Sequence, residues 1–246
     1  MTTRKFARKY PIDFSSIRLC LINCISIDSE FHEIFSDRWL KPLGNSAGRE
    51  IISPILCLPE HGGMVISIRD WLGRQEQMFL DSSNSFNIPT KNELTQVLLD
   101  KEALKINKIS LITEEISLNE DLENSNTVRF GTFWYPLVDA TMAIVDPELL
   151  TFCAPNTVGE IWVDSPSLSG GFWDLQEDTD TIFHAKAYVI DTETLKPVIY
   201  DQEFLRTGLL GSIIDGRILV LGLYEDRLRQ RIERTEDEQT SVEYGY

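Results

Sequence analysis

Cysteine is scarce in this sequence of 246 residues, which contains only Cys20, Cys24, Cys57 and Cys153. No two of them form a C-x-x-C pair and their spacing matches no zinc site, so we predict no metal centre. Cys20 and Cys24 lie within an apolar run that is typical of a protein core. This use of cysteine favours an intracellular, reducing compartment over a disulfide-bonded one.

Long apolar runs are also absent. No stretch approaches the roughly 20 apolar residues that a membrane-spanning helix needs. The basic residues near the N-terminus, between positions 4 and 9, are not followed by an apolar segment of the signal-peptide type. The sequence therefore predicts a protein that is not transmembrane.

Basic side chains are outnumbered, with 23 Lys and Arg against 39 Asp and Glu, which gives a formal net charge of -16. A field of this sign repels phosphate backbones and anionic lipid surfaces, so we expect no nucleic-acid partner. Hydrophobic residues make up 42% of the chain, close to an ordinary globular protein. Its length is sufficient for one large or two small domains with a sizeable core.

The common catalytic motifs are missing. The sequence has no G-x-x-x-x-G-K-[ST], G-x-G-x-x-G, G-x-S-x-G or H-E-x-x-H pattern. Of the three histidines, His32 falls in a predicted helix and His184 lies beside a predicted strand, and we interpret both as structural. We predict no catalytic residue in this chain.

The hydrophobic pattern predicts an α+β fold whose character changes near the middle of the chain. In the first half, apolar runs predict strands at 17–22, 51–58 and 64–68, with a loop at 59–63 and a helix over 90–104 capped by Thr90. Residues 113–126 are polar and acidic and read as an exposed connection. The second half contains short β-prone runs typical of a compact antiparallel unit. Its strongest hairpin signal is Asp215-Gly216 between two apolar runs.

Three segments of the second half carry a resemblance to adenylate-forming enzymes. Residues 158–173 (VGEIWVDSPSLSGGFW), 204–211 (FLRTGLLG) and 222–229 (GLYEDRLR) resemble three motifs of that superfamily in the same order and spacing. With residues 58–73 (LPEHGGMVISIRDWLG), they make the chain most similar to a fatty-acyl-AMP-ligase-like domain of disco-interacting protein 2 and its fungal relatives.

The resemblance implies four regions. Residues 1–112 would form the end of a large α/β subdomain and 113–205 a small distorted β-barrel subdomain. Residues 206–232 would form the last hairpin and the hinge, and 233–246 an acidic, frayed tail. The phosphate-binding loop and the catalytic lysine of the family would lie outside the chain. ATP and Mg²⁺ are therefore expected only for an active full-length relative, and this chain alone is expected to use no cofactor.

The resemblance also locates a degenerate nucleotide pocket. The family motif R-T-G-D uses its Asp to accept hydrogen bonds from both ribose hydroxyls, and Leu209 stands at that position. At the hinge, which includes Gly222, Glu225 and Asp226, the family Arg is replaced by Leu223. The aromatic-Gly-x-x-Glu loop corresponds to the segment that contains Glu60, His61, Gly62 and Gly63. The first two side chains would form a polar pocket floor, or the segment would be only a structural turn permitted by its glycines.

Three functions follow as alternatives. The first is a partial fatty-acyl-AMP-ligase-like domain, non-catalytic, in a protein of lipid metabolism resembling regulators of diacylglycerol homeostasis. Its partners would be the remaining domains of the parent protein and a fatty acid or lipid, and the resemblance implies a cytoplasmic protein associated with mitochondria. The second is a true acyl-activating ligase whose catalytic parts lie elsewhere. The third is a protein-interaction module anchored by aromatics at 130–135 and 171–173, such as Trp134 and Trp173, which are more often core residues.

Overall fold

A computed structural model describes residues 12–27, 29–67, 96–112, 126–133, 135–136, 140–191, 196–214, 217–226, 230–236 and 239–245. The helices are α1 (Ser29–Phe35), α2 (Lys101–Leu104) and α3 (Gln176–Phe183). The strands are β1 (Cys20–Asn23), β2 (Ile52–Leu58), β3 (Gly63–Ser67), β4 (Gln96–Asp100), β5 (Thr127–Phe133), β6 (Tyr135–Pro136), β7 (Thr141–Val145), β8 (Gly159–Asp164), β9 (Ala185–Ile190), β10 (Pro197–Ile214), β11 (Arg217–Leu223), β12 (Gln230–Glu236) and β13 (Gln239–Gly245).

Four strands form a mixed sheet in the order β1-β2-β3-β6. β1 runs parallel to β2, and the remaining pairs are antiparallel. Six of the seven side chains of β2 are buried, as its nearly continuous apolar sequence predicts. Helix α1 continues into a π-helical turn (Ser36–Leu40) and two 3₁₀ turns (Lys41–Leu43 and Gly48–Ile51) that lead into β2.

A seven-stranded antiparallel sheet is built around the long strand β10. The order is β4-β5-β11-β10-β8-β7, and β9 pairs with the first part of β10. The register of β10 shifts against each of its three neighbours, so this 18-residue strand bends and changes partners along its length. The two ends of this order, β4 and β7, are not joined, and the described strands form no closed barrel.

The two sheets share one core. Leu58 and Val65 of the first sheet belong to the same buried cluster as Ile161, Leu205 and Leu209 of the second. A second cluster, which includes Leu99 and Leu219, fills the space on the other side of β11. This shared core fixes the turns at the ends of β2 and β10 relative to each other.

The predicted α+β class is confirmed. The four region boundaries stay predictions. β4 pairs within the sheet of the second half, and β6 pairs within the sheet of the first half. The hairpin expected at Asp215-Gly216 is confirmed by the pairing of Ile214 with Arg217, although the two turn residues lie outside the described part.

Two secondary-structure predictions are wrong. Residues 96–100 of the predicted helix form strand β4, because Val97 and Leu99 turn inward alternately and the strand pairs with β5. The N-cap is Asp100, whose carboxylate accepts from the Glu102 N–H, while Thr90 lies outside the described residues. The tail predicted to be frayed forms the hairpin β12–β13, paired from Gln230 and Gly245 to Glu236 and Gln239.

Within the described ranges, no helix is long and apolar enough to cross a membrane.

Candidate functional site

A bulge in β10 carries the sequence Arg206-Thr207-Gly208 and is held by Glu160 of β8. The Arg206 Nε and Nη2 donate to Glu160 Oε2 at 3.1 and 2.9 Å, and the Gly208 N–H donates to Oε1 at 3.1 Å. Thr207 Oγ1 donates to the Ile161 carbonyl at 2.6 Å. Gly208 has a φ of 68°, which a residue with a side chain rarely adopts. The bulge is therefore fixed at three consecutive residues.

Glu160 is a buried carboxylate with both oxygens engaged. It is 2% exposed, and it forms an ion pair with the Arg206 guanidinium. The same guanidinium lies 5.6 Å from the ring of the fully buried Trp162. A buried carboxylate is tolerated only when it is paired and hydrogen-bonded, and Glu160 meets both conditions.

The two predicted pocket positions at the end of this bulge face each other. Leu209 pairs directly with Leu223 across β10 and β11. Leu209 is 2% exposed and belongs to the shared core, and Leu223 is half-buried against the same core. The Tyr224 N–H donates to the Gly208 carbonyl at 2.8 Å, which extends the pairing by one bond.

The predicted loop between β2 and β3 is a tight turn. Residues Pro59–His61 form a 3₁₀ turn, and Gly62 follows with a φ of 72°. His61 is buried, and its Nε2 lies 3.0 Å from the Ser165 Oγ. The Glu60 carbonyl accepts from the Ser169 N–H at 2.7 Å. His61 therefore joins this turn to the turn that follows β8. The pocket floor and the structural turn both stay predictions.

The predicted hinge residues end β11. Gly222 lies in the strand, with open space where a Cβ would be. Glu225 and Asp226 are exposed in the turn that follows, and the Asp226 N–H donates to the Leu223 carbonyl at 3.2 Å.

The structure thus pairs Leu209 with Leu223. The turn that contains Glu60, His61, Gly62 and Gly63 follows Leu58, which belongs to the same buried cluster as Leu209. Three residues that hold the site together were not predicted from the sequence: Glu160, Arg206 and Ser165. A signal was present for Glu160, because a charged residue inside the apolar strand Gly159–Asp164 requires a buried partner. Nothing local in the sequence identifies that partner as Arg206, 46 residues away.

The side chains at the two facing positions, 209 and 223, are apolar. Aliphatic side chains neither donate nor accept hydrogen bonds, so Leu209 and Leu223 present hydrocarbon where they face each other. The carboxylate of Glu160 is already occupied on both oxygens. No group of three or more His, Cys, Asp or Glu side chains that could hold a metal ion occurs in the part of the chain that the structure describes.

The chain is similar in sequence to two fungal proteins and to bacterial ligases. No protein-family model matches the chain. It is 54% identical over 231 residues to an uncharacterised protein of Schizosaccharomyces pombe, covering 94% of this chain and 15% of that protein. It is 31% identical to the homeostatic regulator of DAG of Saccharomyces cerevisiae, over 92% of this chain and 15% of the regulator. A 151-residue part is 32% identical to the medium-chain-fatty-acid–[acyl-carrier-protein] ligase JamA of Moorena producens, covering 60% of this chain and 23% of the ligase.

Solved structures show the same fold. The fatty acid AMP ligase from Legionella pneumophila superposes with a TM-score of 0.60 at 18% identity, over 96% of this chain and 38% of the ligase. The adenylation domain of a keto acid-selecting NRPS module, bound to keto acyl adenylate, gives 0.60 at 15% identity, over 97% of this chain and 35% of that chain. The chain therefore spans about 15% of its two fungal relatives and little more than a third of these folds.

Proposed function

We propose that this chain, which is part of a fatty-acyl-AMP-ligase-like domain of the adenylate-forming fold, is a non-catalytic module of a longer lipid-related protein. The observation that carries the proposal is the apolar pair formed by the buried Leu209 and the half-buried Leu223 at the end of the Arg206–Gly208 bulge. By the motif resemblance, a ribose-binding carboxylate would stand at position 209. A leucine packed into the core leaves the ribose hydroxyls without that acceptor.

The energetic loss is large enough to matter. A hydrogen bond to a charged group contributes about 1.5–3 kcal/mol, and the missing carboxylate would accept two. Their loss lowers nucleotide affinity by roughly a hundredfold or more, since each 1.4 kcal/mol is a factor of ten. Hydrocarbon at positions 209 and 223, where the motif resemblance expects polar contacts to the ribose, supports the proposal that this chain alone binds no ATP-Mg²⁺.

The test is ATP-Mg²⁺ binding by calorimetry, on this chain and on its full-length parent, with an acyl-AMP formation assay on the same preparations. We expect no micromolar binding and no acyl-adenylate from this domain. If the parent contains another ligase-like domain, its catalytic lysine is substituted first, so that any acyl-adenylate formed comes from this domain. Micromolar binding to the isolated chain contradicts the proposal directly.

A true acyl-activating ligase is the second candidate, and the intact network around Glu160 favours it. The network holds Arg206, Thr207 and Gly208 in one fixed geometry. A preorganised loop of this kind is what a ligand-binding site requires. The full-length parent with its natural Leu209 separates the two candidates. If that protein makes acyl-adenylate at this domain, the leucine is compatible with catalysis and the non-catalytic proposal is wrong.

The lipid-related role is proposed for the parent protein as a whole. Its support is the likeness to the yeast homeostatic regulator of DAG and to fatty-acid ligases. The proposal includes an intracellular location with association to mitochondria, and a fatty acid or lipid as ligand of the parent. Lipid analysis of cells that lack the parent protein tests it, with altered diacylglycerol as the expected outcome.

A further inference from the structure

The loop that follows the turn at Ser165 exposes a tryptophan almost completely. Trp173 is 96% exposed, and Leu175, two residues later, is 53% exposed. Trp162, in the strand before the loop, is fully buried. Exposed tryptophans are uncommon because the side chain is large and apolar, and tryptophan is enriched among the residues that dominate binding energy at interfaces.

The loop is held in one conformation by helix α3, so the exposure of Trp173 is not the result of a loose segment. The Phe172 N–H donates to the Thr179 Oγ1 at 2.9 Å, and the Phe172 ring packs edge-on against Phe183 at 5.1 Å. Gly171 has a φ of 121°, and a Cβ there would overlap the Thr179 side chain. A rigid display of this kind lowers the entropy lost on binding.

The chain segment that carries Trp173 is acidic. Residues 165–183 contain no Lys, Arg or His. They contain four exposed carboxylates: Asp174, Glu177, Asp178 and Asp180. In the described part of the chain, none of the four forms an ion pair with a basic side chain. An anionic lipid surface and a second copy of this chain, whose net charge is -16, would both be repelled by such a patch.

We propose that Trp173, Leu175 and the acidic start of α3 form a docking surface for another part of the parent polypeptide. That partner segment presents an apolar pocket for the indole, rimmed by lysine or arginine side chains. The choice of an intramolecular partner rests on the proposal that this chain is one module of a longer protein. Most of the length of the two fungal relatives lies outside the matched region. Tethering raises the effective concentration of such a segment to about the millimolar range, so a small anchor is sufficient.

The test uses the purified full-length parent with the photo-crosslinking residue p-benzoylphenylalanine at position 173. A matched protein carries it at position 149, where Leu149 is 69% exposed in a turn without the acidic helix. A mixture of ¹⁴N- and ¹⁵N-labelled protein distinguishes adducts within one polypeptide from adducts between two. We expect an intramolecular adduct from position 173, on a segment with apolar and basic residues, and at least tenfold less of that adduct from position 149.

Two further variants keep the outcome decisive. Trp173→Ala in the parent is expected to raise hydrogen exchange of the adduct segment at least tenfold without lowering the Tm of this domain. The double variant Glu177→Lys, Asp178→Lys is expected to lower the adduct yield several-fold, as is 0.5 M NaCl. The proposal is overturned by no adduct above the position 149 level, by adducts only between copies, by an adduct on an acidic segment, or by Trp173-dependent binding to phosphatidylcholine vesicles. Nucleotide binding does not enter these readouts, so failure here is separate from failure of the non-catalytic proposal.

Discussion

At the residue scale, the burial of Leu209 makes a charged side chain at this position energetically costly. Its side chain packs with Leu58 and Leu205, and the neighbouring cation, Arg206, is already paired with Glu160. We expect Leu209→Asp to destabilise the chain by about 3–5 kcal/mol, because the new carboxylate would be buried without a partner. Urea unfolding measures this, and Leu209→Met, with an expected loss below about 1.5 kcal/mol, is the volume-matched control. Equal losses for the two variants would show that the site is open to solvent.

Glu160 is the residue on which the Arg206 bulge depends. Replacing Glu160 with Gln removes the charge opposite Arg206 and places an amide N–H₂ near the Gly208 N–H. Because Arg206 keeps some exposure, we expect a loss of about 2–4 kcal/mol in urea unfolding. Glu203→Gln is the control: this carboxylate contacts His184 and Lys186 at the surface and should matter far less. A larger effect at Glu203 than at Glu160 would contradict the structure.

The cysteines provide a pH-dependent readout of the same interior. Burial raises the pKa of Cys24 to about 11, and burial with the nearby charge of Asp146 raises the pKa of Cys153 to about 11. The ordinary pKa is 9.0, so between pH 9 and 11 the folded chain keeps protons that the unfolded chain loses. The contribution of these two thiols to the free energy of unfolding should therefore be constant below pH 9 and fall as the pH rises towards 11. At pH 8, mass spectrometry after iodoacetamide treatment should show slow labelling of both thiols, and rapid labelling in urea.

At the scale of elements, the sequence predicts strands better than it predicts where they pair. The runs at 51–58 and 64–68 correspond to β2 and β3, because buried strands need continuous or alternating apolar residues. The helix expected up to residue 104 was wrong over β4, since the pairing of β4 with β5 overrides local helix preference. The Glu160–Arg206 pair could not be predicted, because it depends on the register between β8 and β10.

The conformation of the loop before α3 depends on one glycine, Gly171. Gly171 has a φ of 121° and lies against Thr179, whereas Gly170 has open space where a Cβ would be and no positive φ. We expect Gly171→Ala to cost about 1–3 kcal/mol of stability, from backbone strain and overlap with α3. Gly170→Ala should change stability by less than about 1 kcal/mol, in either direction. Thermal and urea unfolding of the two variants should therefore separate clearly, and equal values would mean that the loop does not pack on α3.

At the scale of the whole molecule, the shared core stabilises the fold, whereas the strongly acidic surface opposes it through charge repulsion. The core joins the two sheets through the cluster that contains Leu58 and Leu209, so position 209, which resembles a nucleotide-pocket position, is part of the structural interior. Most carboxylates stay outside, and the exposed ion pairs, such as Lys41–Asp37 and Lys105–Glu102, neutralise only a few of them. The excess negative charge therefore acts on the stability of the chain as a whole.

This excess predicts the direction of the salt response. With a net charge of -16, self-repulsion opposes the compact state, and 0.3 M NaCl shortens the screening length to well below the roughly 10 Å that applies at 0.1 M. Salt also weakens the surface ion pairs, but each contributes at most about 1 kcal/mol. We therefore expect the Tm to rise by roughly 2–4 °C per kcal/mol of repulsion removed when NaCl increases from 0.02 to 0.3 M. Chloride salts of sodium and potassium should act equally, which separates screening from specific ion binding, and a falling Tm would show that ion pairs outweigh the repulsion.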